Sequence, residues 1–161
     1  MTKIFLTLTL LATIGIAGFF YHKCHAQTTM LDHFSFSVKD FEQSRKFYDE
    51  TLAILGYQRL RNFDFPEQNV RVAGYGKGGK PSFWIGKAPH EVSNICNFHI
   101  AFLAPSVASI NDWYAKCLEL GGTDNGKPGP RPQYHPGYYG AFIIDPNGWR
   151  IEAVLHTYKS S

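Results

Sequence analysis

The sequence has no run of basic residues and only a small excess of positive charge. Its formal net charge is +3 over 161 residues, and Lys3 and Lys23 supply two of these charges within residues 1–26, which contain no Asp or Glu. The rest of the chain is therefore close to neutral. A surface that follows nucleic-acid phosphates needs clustered Lys and Arg. We therefore exclude nucleic acid as a partner.

Long apolar runs are also missing, with one exception near the start of the chain. Residues 4–20 carry no charge; a lysine precedes them and small residues follow. This pattern is typical of a secretory signal cleaved after Ala26, and the run is slightly short for a membrane span. We predict that residues 1–29 form a signal peptide or an N-terminal membrane anchor. The protein is then exported (periplasmic or extracellular) or attached to a membrane through residues 4–20. Translation from Met30 would instead give a cytoplasmic protein.

Cysteine is scarce, with three residues in the chain. Removal of the leader would leave Cys96 and Cys117, which permits one disulfide in an exported protein. The apolar spacing around Cys117 places it on the buried face of a helix. A small apolar core residue is the simpler interpretation.

Apolar alternation and helix signals define the order of elements in the first half. Residues 31–38 alternate as in a half-buried strand, and Asp40 then stands where a helix N-cap is expected. The helix ends at Gly56. Three strands follow, at residues 57–63, 69–75 and 82–85. This order is one βαβββ module.

The same order recurs after a polar linker at residues 86–96. A strand at residues 97–104 precedes a helix that begins at Pro105-Ser106 and ends at Gly121. The later elements are a short strand at Thr123-Asp124, a Pro/Gly-rich loop at residues 126–137, and strands at residues 138–144 and 149–156, joined by the turn Asp145-Pro146-Asn147-Gly148.

One offset relates the two halves. His33 and His99 are 66 residues apart, and so are Gly56 and Gly122. A shared offset indicates an internal duplication.

The duplication predicts an α+β fold for residues 30–161. Modules 30–86 and 97–157 would form a curved, eight-stranded, cup-shaped sheet with the helices on its outer face. The apolar strand faces would contact the helices. The opposite faces would line the cup and carry His33, His99 and Glu152.

Two histidines and one carboxylate on such a surface are candidate metal ligands. Neutral imidazole and ionised carboxylate both bind divalent metal ions. We predict that His33, His99 and Glu152 form an open metal site. The alternative is that all three are polar residues on a wet sheet face.

Five segments carry a further signal: Leu31-Asp32-His33, residues 44–48, Leu55-Gly56-Tyr57, residues 98–102 and residues 145–152. Together they resemble the vicinal oxygen chelate superfamily, which includes glyoxalase I, extradiol dioxygenases, fosfomycin-resistance proteins and bleomycin-resistance proteins. The resemblance covers residues 30–157. It implies metal ligands in the first, fourth, fifth and eighth strands.

His33, His99 and Glu152 match three of these four places. The fourth-strand place falls near Phe83 or Trp84, where glyoxalase I has a glutamate and this sequence has none. The remaining set resembles the two-histidine, one-carboxylate set of extradiol dioxygenases, which leaves open positions on the metal. The resemblance implies a divalent metal (Zn, Ni, Mn or Fe) as cofactor. In place of a ligand, Phe83 and Trp84 would form an apolar pocket wall that binds substrate; the alternative is that both are core residues.

The loop at residues 126–137 is the second candidate site, because long loops in compact domains are often functional. Arg131 can bind a carboxylate or phosphate through its guanidinium, and Tyr134 can donate a hydrogen bond to the substrate. His135 and Tyr139 are the candidate catalytic groups for proton transfer. The alternative is a rim stiffened by proline, with solvated side chains.

These features favour a glyoxalase-like, small-molecule metalloenzyme with lyase or isomerase chemistry next to a carbonyl. An extradiol-type dioxygenase is the enzymatic alternative. A metal-free protein that binds or sequesters an aromatic or cationic compound, as bleomycin-resistance proteins do, is the alternative from another class. The sequence leaves open whether one chain completes the cup or two chains exchange halves as a homodimer.

Overall fold

The computed structural model describes residues 32–88 and 98–159. The predicted signal peptide or membrane anchor (residues 1–29), Met30 and Cys96 lie outside the described residues. The nature of this segment and the localisation of the protein therefore remain predictions. Within the described ranges, no helix combines the length and the apolarity needed to cross a membrane.

The first module folds as a strand, a helix and three further strands. Strand β1 spans Phe34–Val38 and helix α1 spans Phe41–Ile54, where the Asp40 carboxylate accepts a hydrogen bond from the backbone N–H of Gln43 at 3.0 Å. The predicted helix cap is therefore confirmed. The next elements are β2 (Gln58–Phe65), a 3-10 turn (Pro66–Gln68), β3 (Val70–Lys77) and β4 (Lys80–Lys87). β1 pairs in parallel with β4, and the sheet order is β1-β4-β3-β2.

The second module repeats this topology. Its elements are β5 (His99–Leu103), α2 (Val107–Glu119), β6 (Thr123–Pro130), β7 (Tyr139–Ile144) and β8 (Arg150–Leu155). The sheet order is β5-β8-β7-β6, again with a parallel pair at one edge. The α+β class and the duplicated βαβββ modules are confirmed, with the eight strands arranged as two four-stranded sheets.

Strand β6 is longer than the sequence analysis predicted. The expected loop starts at Gly126, whereas β6 runs to Pro130 and pairs Gly129 with Gly140 of β7. Proline is tolerated here because β6 is an edge strand, where one side has no ladder of hydrogen bonds to complete. The loop that remains covers residues 131–138.

One hydrophobic core draws residues from both modules. The strand faces predicted to be apolar are buried, among them Val38 and Phe102, and α2 contributes the fully buried Trp113 and Cys117. Cys117 is a free thiol whose pKa is raised by burial. It is a core residue, in agreement with the simpler interpretation.

Each sheet also has a face turned away from this core, which we call its open face. The open face of the first sheet carries Ser35, Trp84 and Phe63. That of the second sheet carries His99, Ala101, Phe142 and Glu152.

Candidate functional site

Glu152 is a carboxylate on the second open face whose side chain is only 1% exposed. β8 places it opposite Ala101 of β5 and Phe142 of β7. The Nε2–H of His99 donates to Glu152 Oε2 at 2.8 Å, and the hydroxyl of Tyr138 donates to Oε1. In the part of the chain that the structure describes, no Lys or Arg forms a salt bridge with this carboxylate. A buried carboxylate without a fixed cation favours the binding of an added one.

Gly140 makes room for this carboxylate. A Cβ at Gly140 would stand 2.8 Å from Glu152 Oε1 and 3.2 Å from Cε1 of Tyr138. Burial raises the pKa of Tyr138, and the hydrogen bond to Glu152 raises it further. The phenol therefore stays protonated at neutral pH and remains a hydrogen-bond donor.

His99 and Glu152 can share one metal ion. The 2.8 Å between Nε2 and Oε2 is a hydrogen-bond length. It is close to the separation of adjacent ligands around an octahedral ion with bonds of about 2.0–2.2 Å, and a tetrahedral ion would require the two atoms to move apart. Tyr138 binds the other carboxylate oxygen, and such an outer hydrogen bond is usual for a ligating carboxylate. Two of the three predicted ligands therefore lie next to each other, and metal binding by them remains a prediction.

His33 does not join them within one chain. It lies just before β1, where its side chain is exposed, and its Nδ1 is 2.9 Å from Asp32 Oδ1. Among residues 32–88 and 98–159, no group of three His, Cys, Asp or Glu side chains could hold a metal ion. The complete three-ligand set remains a prediction.

Phe83 and Trp84 lie where the family has its fourth-strand metal ligand. Their side chains lie on opposite faces of β4. Phe83 is buried in the core, where its ring contacts that of Phe102 at a centroid distance of 5.2 Å. Trp84 lies on the first open face, where a Cβ at Gly74 would stand 2.6 Å from its ring. Of the two, only Trp84 can contact a ligand on an open face.

Trp84 begins an aromatic surface that the sequence analysis did not identify. Its ring lies within 9° of parallel to that of Phe63, which in turn lies within 9° of parallel to that of Phe65. The centroid separations are 6.2 Å and 6.3 Å. Phe63 and Phe65 are both exposed. We call Trp84, Phe63 and Phe65 the aromatic surface.

Arg131 binds its own loop. Its guanidinium donates to the carbonyl of Lys127 at 2.6 Å and to that of Pro130 at 3.2 Å, and its Cζ lies 5.5 Å from the centroid of the Phe142 ring. These contacts stabilise the loop, and anion binding by Arg131 remains a prediction. Tyr134 is exposed at the loop surface.

His135 lies beside Tyr138 and pairs with a second histidine. Its Nδ1–H donates to the carbonyl of Pro136 at 2.7 Å, and its Nε2 lies 3.0 Å from Nδ1 of His156. The ring of Tyr138 contacts both histidine rings, at centroid distances of 5.2 Å and 5.3 Å. Tyr138 thus connects the histidine pair to Glu152.

Tyr139 faces away from Glu152. Its hydroxyl donates to Asn111 of α2 at 3.2 Å, and its ring contacts Tyr158. The tyrosine next to the carboxylate is therefore Tyr138, which the sequence analysis did not select.

Comparison with protein families identified the superfamily. A family model described as the Glyoxalase/Bleomycin resistance protein/Dioxygenase superfamily matches residues 30–153. A search of curated protein sequences found no match.

Solved structures share the fold. A glyoxalase/bleomycin resistance protein from Albidiferax ferrireducens T118 aligns with a TM-score of 0.67 and 26% identity, covering 78% of this chain and 98% of the other. Glyoxalase I from Zea mays aligns with a TM-score of 0.63 and 25% identity over 76% of this chain, but only 44% of the maize chain is covered. The trypanothione-dependent glyoxalase I of Leishmania major aligns with a TM-score of 0.53 and 22% identity, covering 77% of this chain and 84% of the other, which supports the fold alone.

Proposed function

Because the chain belongs to the glyoxalase/bleomycin resistance protein/dioxygenase superfamily, we propose that it is a glyoxalase-like small-molecule enzyme that uses a divalent metal (Zn, Ni, Mn or Fe). The reaction is lyase or isomerase chemistry next to a carbonyl. The observation that carries the proposal is the buried Glu152 carboxylate, which has His99 and Tyr138 as its donors on an open sheet face.

His99 and Glu152 would hold the metal through Nε2 and Oε2. Tyr138 keeps the other carboxylate oxygen in place, so Oε2 stays directed toward His99. His99 must release its Nε2 proton before that nitrogen can bind a metal, and binding therefore weakens as the pH falls through the histidine range. When bound, a divalent ion supplies Lewis acidity, which stabilises negative charge on a substrate oxygen.

The pair of His135 and His156 is the candidate for proton transfer. The Nδ1–H of His135 is bonded to a carbonyl, so its Nε2 is the nitrogen that can accept a proton, and Nδ1 of His156 can share that proton. Both rings contact Tyr138, which bonds Glu152, so the pair lies one side chain away from the carboxylate. We expect His135→Ala to reduce kcat more than it raises KM.

Metal content of protein purified without a histidine tag tests the proposal. We expect a divalent metal in the natural protein and its loss in His99→Ala and Glu152→Gln. Glu119→Gln is the matched control, because Glu119 is an exposed residue of α2 that pairs with Lys116. Equal trace metal in all four proteins would contradict a metalloenzyme.

A homodimer would complete the predicted ligand set. His33 and His99 occupy equivalent positions in the two modules, yet His33 is paired with Asp32 rather than with Glu152. We infer that a second copy of the chain brings its His33 to the His99 and Glu152 of the first.

Mixing two defective variants tests this shared site, once sedimentation has established the oligomeric state. If the site is shared, each mixed dimer of His33→Ala and Glu152→Gln retains one intact site. After random reassociation, roughly a quarter of all sites should then recover metal. No recovery in a confirmed dimer would show that each chain binds its metal alone.

A metal-free binding protein is the second candidate, and the aromatic surface favours it. Parallel rings with exposed faces can stack on a planar aromatic compound or contact a cation. In that case Trp84→Ala abolishes ligand binding measured by calorimetry, while His99→Ala binds normally. Under the enzyme proposal, His99→Ala should weaken ligand binding more than Trp84→Ala does.

A further inference from the structure

A second cavity lies between the two modules, at a different place from the Glu152 site. Its volume is about 270 Å³, and its lining does not include Glu152, His99 or Tyr138. Its inner wall is aromatic and buried, formed by Tyr75, Phe83 and Phe102.

The mouth of this cavity has an apolar side, formed by the exposed Leu103, and a polar side. Asp32, His33 and Ser82 line it and are all exposed. Asp32 is paired with both Lys80 and His33, and these partners, Lys80 first, lower the pKa of its carboxyl. Lys80, outside the lining, therefore compensates the charge of Asp32, and the mouth favours neither an anion nor a cation.

The Asp32 carboxylate also fixes the tautomer of His33. It accepts the proton of Nδ1 at 2.9 Å, so the neutral ring has a free lone pair on Nε2. The mouth therefore presents a hydrogen-bond acceptor beside an apolar interior. A ligand that carries one donor group would satisfy it.

The volume limits the size of the ligand. An apolar cavity of about 150 Å³ is enough to bind benzene, and sites for drug-sized ligands begin at roughly 300 Å³. A cavity of about 270 Å³ suits one aromatic ring with a short substituent. Ring edges and faces from Phe83 and Phe102 suit such a ring.

We propose that this cavity binds a neutral, single-ring aromatic compound with one hydrogen-bond donor, its ring against Phe83 and Phe102 and its donor on Nε2 of His33. The ligand contacts residues of both modules. Binding therefore stabilises the folded protein, by an amount that grows with the logarithm of ligand concentration above the Kd. His33 cannot hold this ligand and a partner's metal at the same time, so recovery of metal in the mixed dimers described above would contradict this site.

Titration with three matched probes tests the proposal: 4-methylphenol, its methyl ether and 4-methylbenzoate. We expect 4-methylphenol to bind and to raise the Tm. The ether lacks the donor and should bind about three- to tenfold more weakly. The benzoate should not bind, because the apolar interior cannot hold its charge.

Two variants locate the site. Ile100→Trp fills the cavity and should abolish binding of 4-methylphenol, whereas Leu118→Trp, on the exposed face of α2, should leave it unchanged. If Ile100→Trp fails to fold, Ile100→Phe provides the same test with a smaller side chain. Asp32→Asn should reduce the preference for the phenol over the ether.

Several outcomes would overturn the site. They are no binding of 4-methylphenol to the natural protein, equal binding of phenol and ether, or normal binding to a folded cavity-filled variant. Loss of binding in Glu152→Gln would indicate that the ligand binds at the second open face instead of in this cavity. A normal titration with Glu152→Gln, alongside loss of its metal, would separate this site from the proposed metal site.

Discussion

At Glu152, two hydrogen-bond donors satisfy a carboxylate that has almost no contact with water. Each donor binds a different oxygen, so the group has a fixed orientation. Removal of either donor leaves a buried oxygen with an unmet hydrogen bond, which costs about 1–3 kcal/mol.

Tyr138→Phe should lower both the free energy of unfolding and the affinity for a divalent metal. The expected loss of affinity is about 10- to 100-fold, because Tyr138 supports the carboxylate from outside the metal. Thermal unfolding and titration with Mn²⁺ or Zn²⁺ measure the two effects. Tyr139→Phe is the control, since its hydroxyl bonds Asn111 instead. Equal effects of the two substitutions would contradict the assignment of Tyr138.

Gly140→Ala should displace the Glu152 carboxylate, because the new Cβ would lie 2.8 Å from Oε1. We expect a loss of about 1–3 kcal/mol in the free energy of unfolding, together with weaker metal binding. Gly86→Ala is the matched control, since its Cβ would have ordinary contacts at 3.8 Å. Urea denaturation compares them, and a neutral Gly140→Ala would show that Glu152 has room to move.

The sequence analysis named Tyr139 as a candidate for proton transfer, whereas the tyrosine that bonds Glu152 is its neighbour Tyr138. Strand parity contained the needed signal. Gly140 and Phe142 lie on the Glu152 side of β7, and residues two apart share a face, so Tyr138 belongs to the same set. The choice of Tyr139 placed the hydroxyl on the opposite side of the strand.

Among the elements, the turn between β7 and β8 forms hydrogen bonds with residues that are far from it in the sequence. Asn147 is buried and accepts from the backbone N–H of Lys39 at 2.9 Å, while its amide donates to Ser44 at 3.0 Å and to Asp145 at 3.1 Å. Lys39 and Ser44 belong to the first module. The turn therefore fixes the start of α1.

Asn147→Ala should reduce the free energy of unfolding by about 2–3 kcal/mol, since it leaves several buried polar groups without partners. The exposed Asn125 provides the control, and Asn125→Ala should change stability by less than about 0.5 kcal/mol. Chemical denaturation followed by circular dichroism gives both values. A small effect of Asn147→Ala would mean that water replaces its hydrogen bonds.

The sequence predicted this turn from Asp145-Pro146-Asn147-Gly148, but it could not predict the partners on α1. Turn chemistry is local and depends on neighbouring residues. The contact to Ser44 spans 103 positions and exists only because the modules pack together.

Across the whole molecule, buried contacts join the modules into one folding unit. The hydroxyl of Tyr48 donates to Asp145 Oδ2 at 2.6 Å, and the indole N–H of Trp149 donates to the carbonyl of Ser37 at 3.2 Å. The rings of Phe34 and Phe98 stack at a centroid distance of 4.7 Å. The offset between His33 and His99 revealed the two equivalent modules. It could not reveal how they face each other, because periodicity contains no information on packing between repeats.

Tyr48 should make the stability sensitive to alkaline pH. Burial raises its pKa well above the ordinary value, and the charge of Asp145 raises it further. In the unfolded chain the phenol loses its proton near pH 10. The contribution of Tyr48 is therefore complete below about pH 10 and falls as the pH rises above it.

Tyr48→Phe should lower the free energy of unfolding by about 1.5–3 kcal/mol at pH 7, because it removes a hydrogen bond to a charged group. It should also make the loss of stability above about pH 10 shallower. Tyr75 also has a pKa raised by burial, so some alkaline sensitivity should remain. Urea denaturation at pH 7 and at alkaline pH gives both values, with Tyr134→Phe as the exposed control. An unchanged alkaline slope would assign the effect to other groups.

The two outer edge strands influence whether copies of the chain associate. Open strand edges can pair with other chains and start aggregation. In the first sheet, the edge strand β2 carries the charged Arg59 and Arg61; in the second, the edge strand β6 carries Pro128 and Pro130, which have no N–H to offer. Charged side chains at the β2 edge and prolines at the β6 edge therefore disfavour amyloid-like pairing with other chains. A duplicated sheet in which each copy protects its own edge can remain dispersed at high concentration.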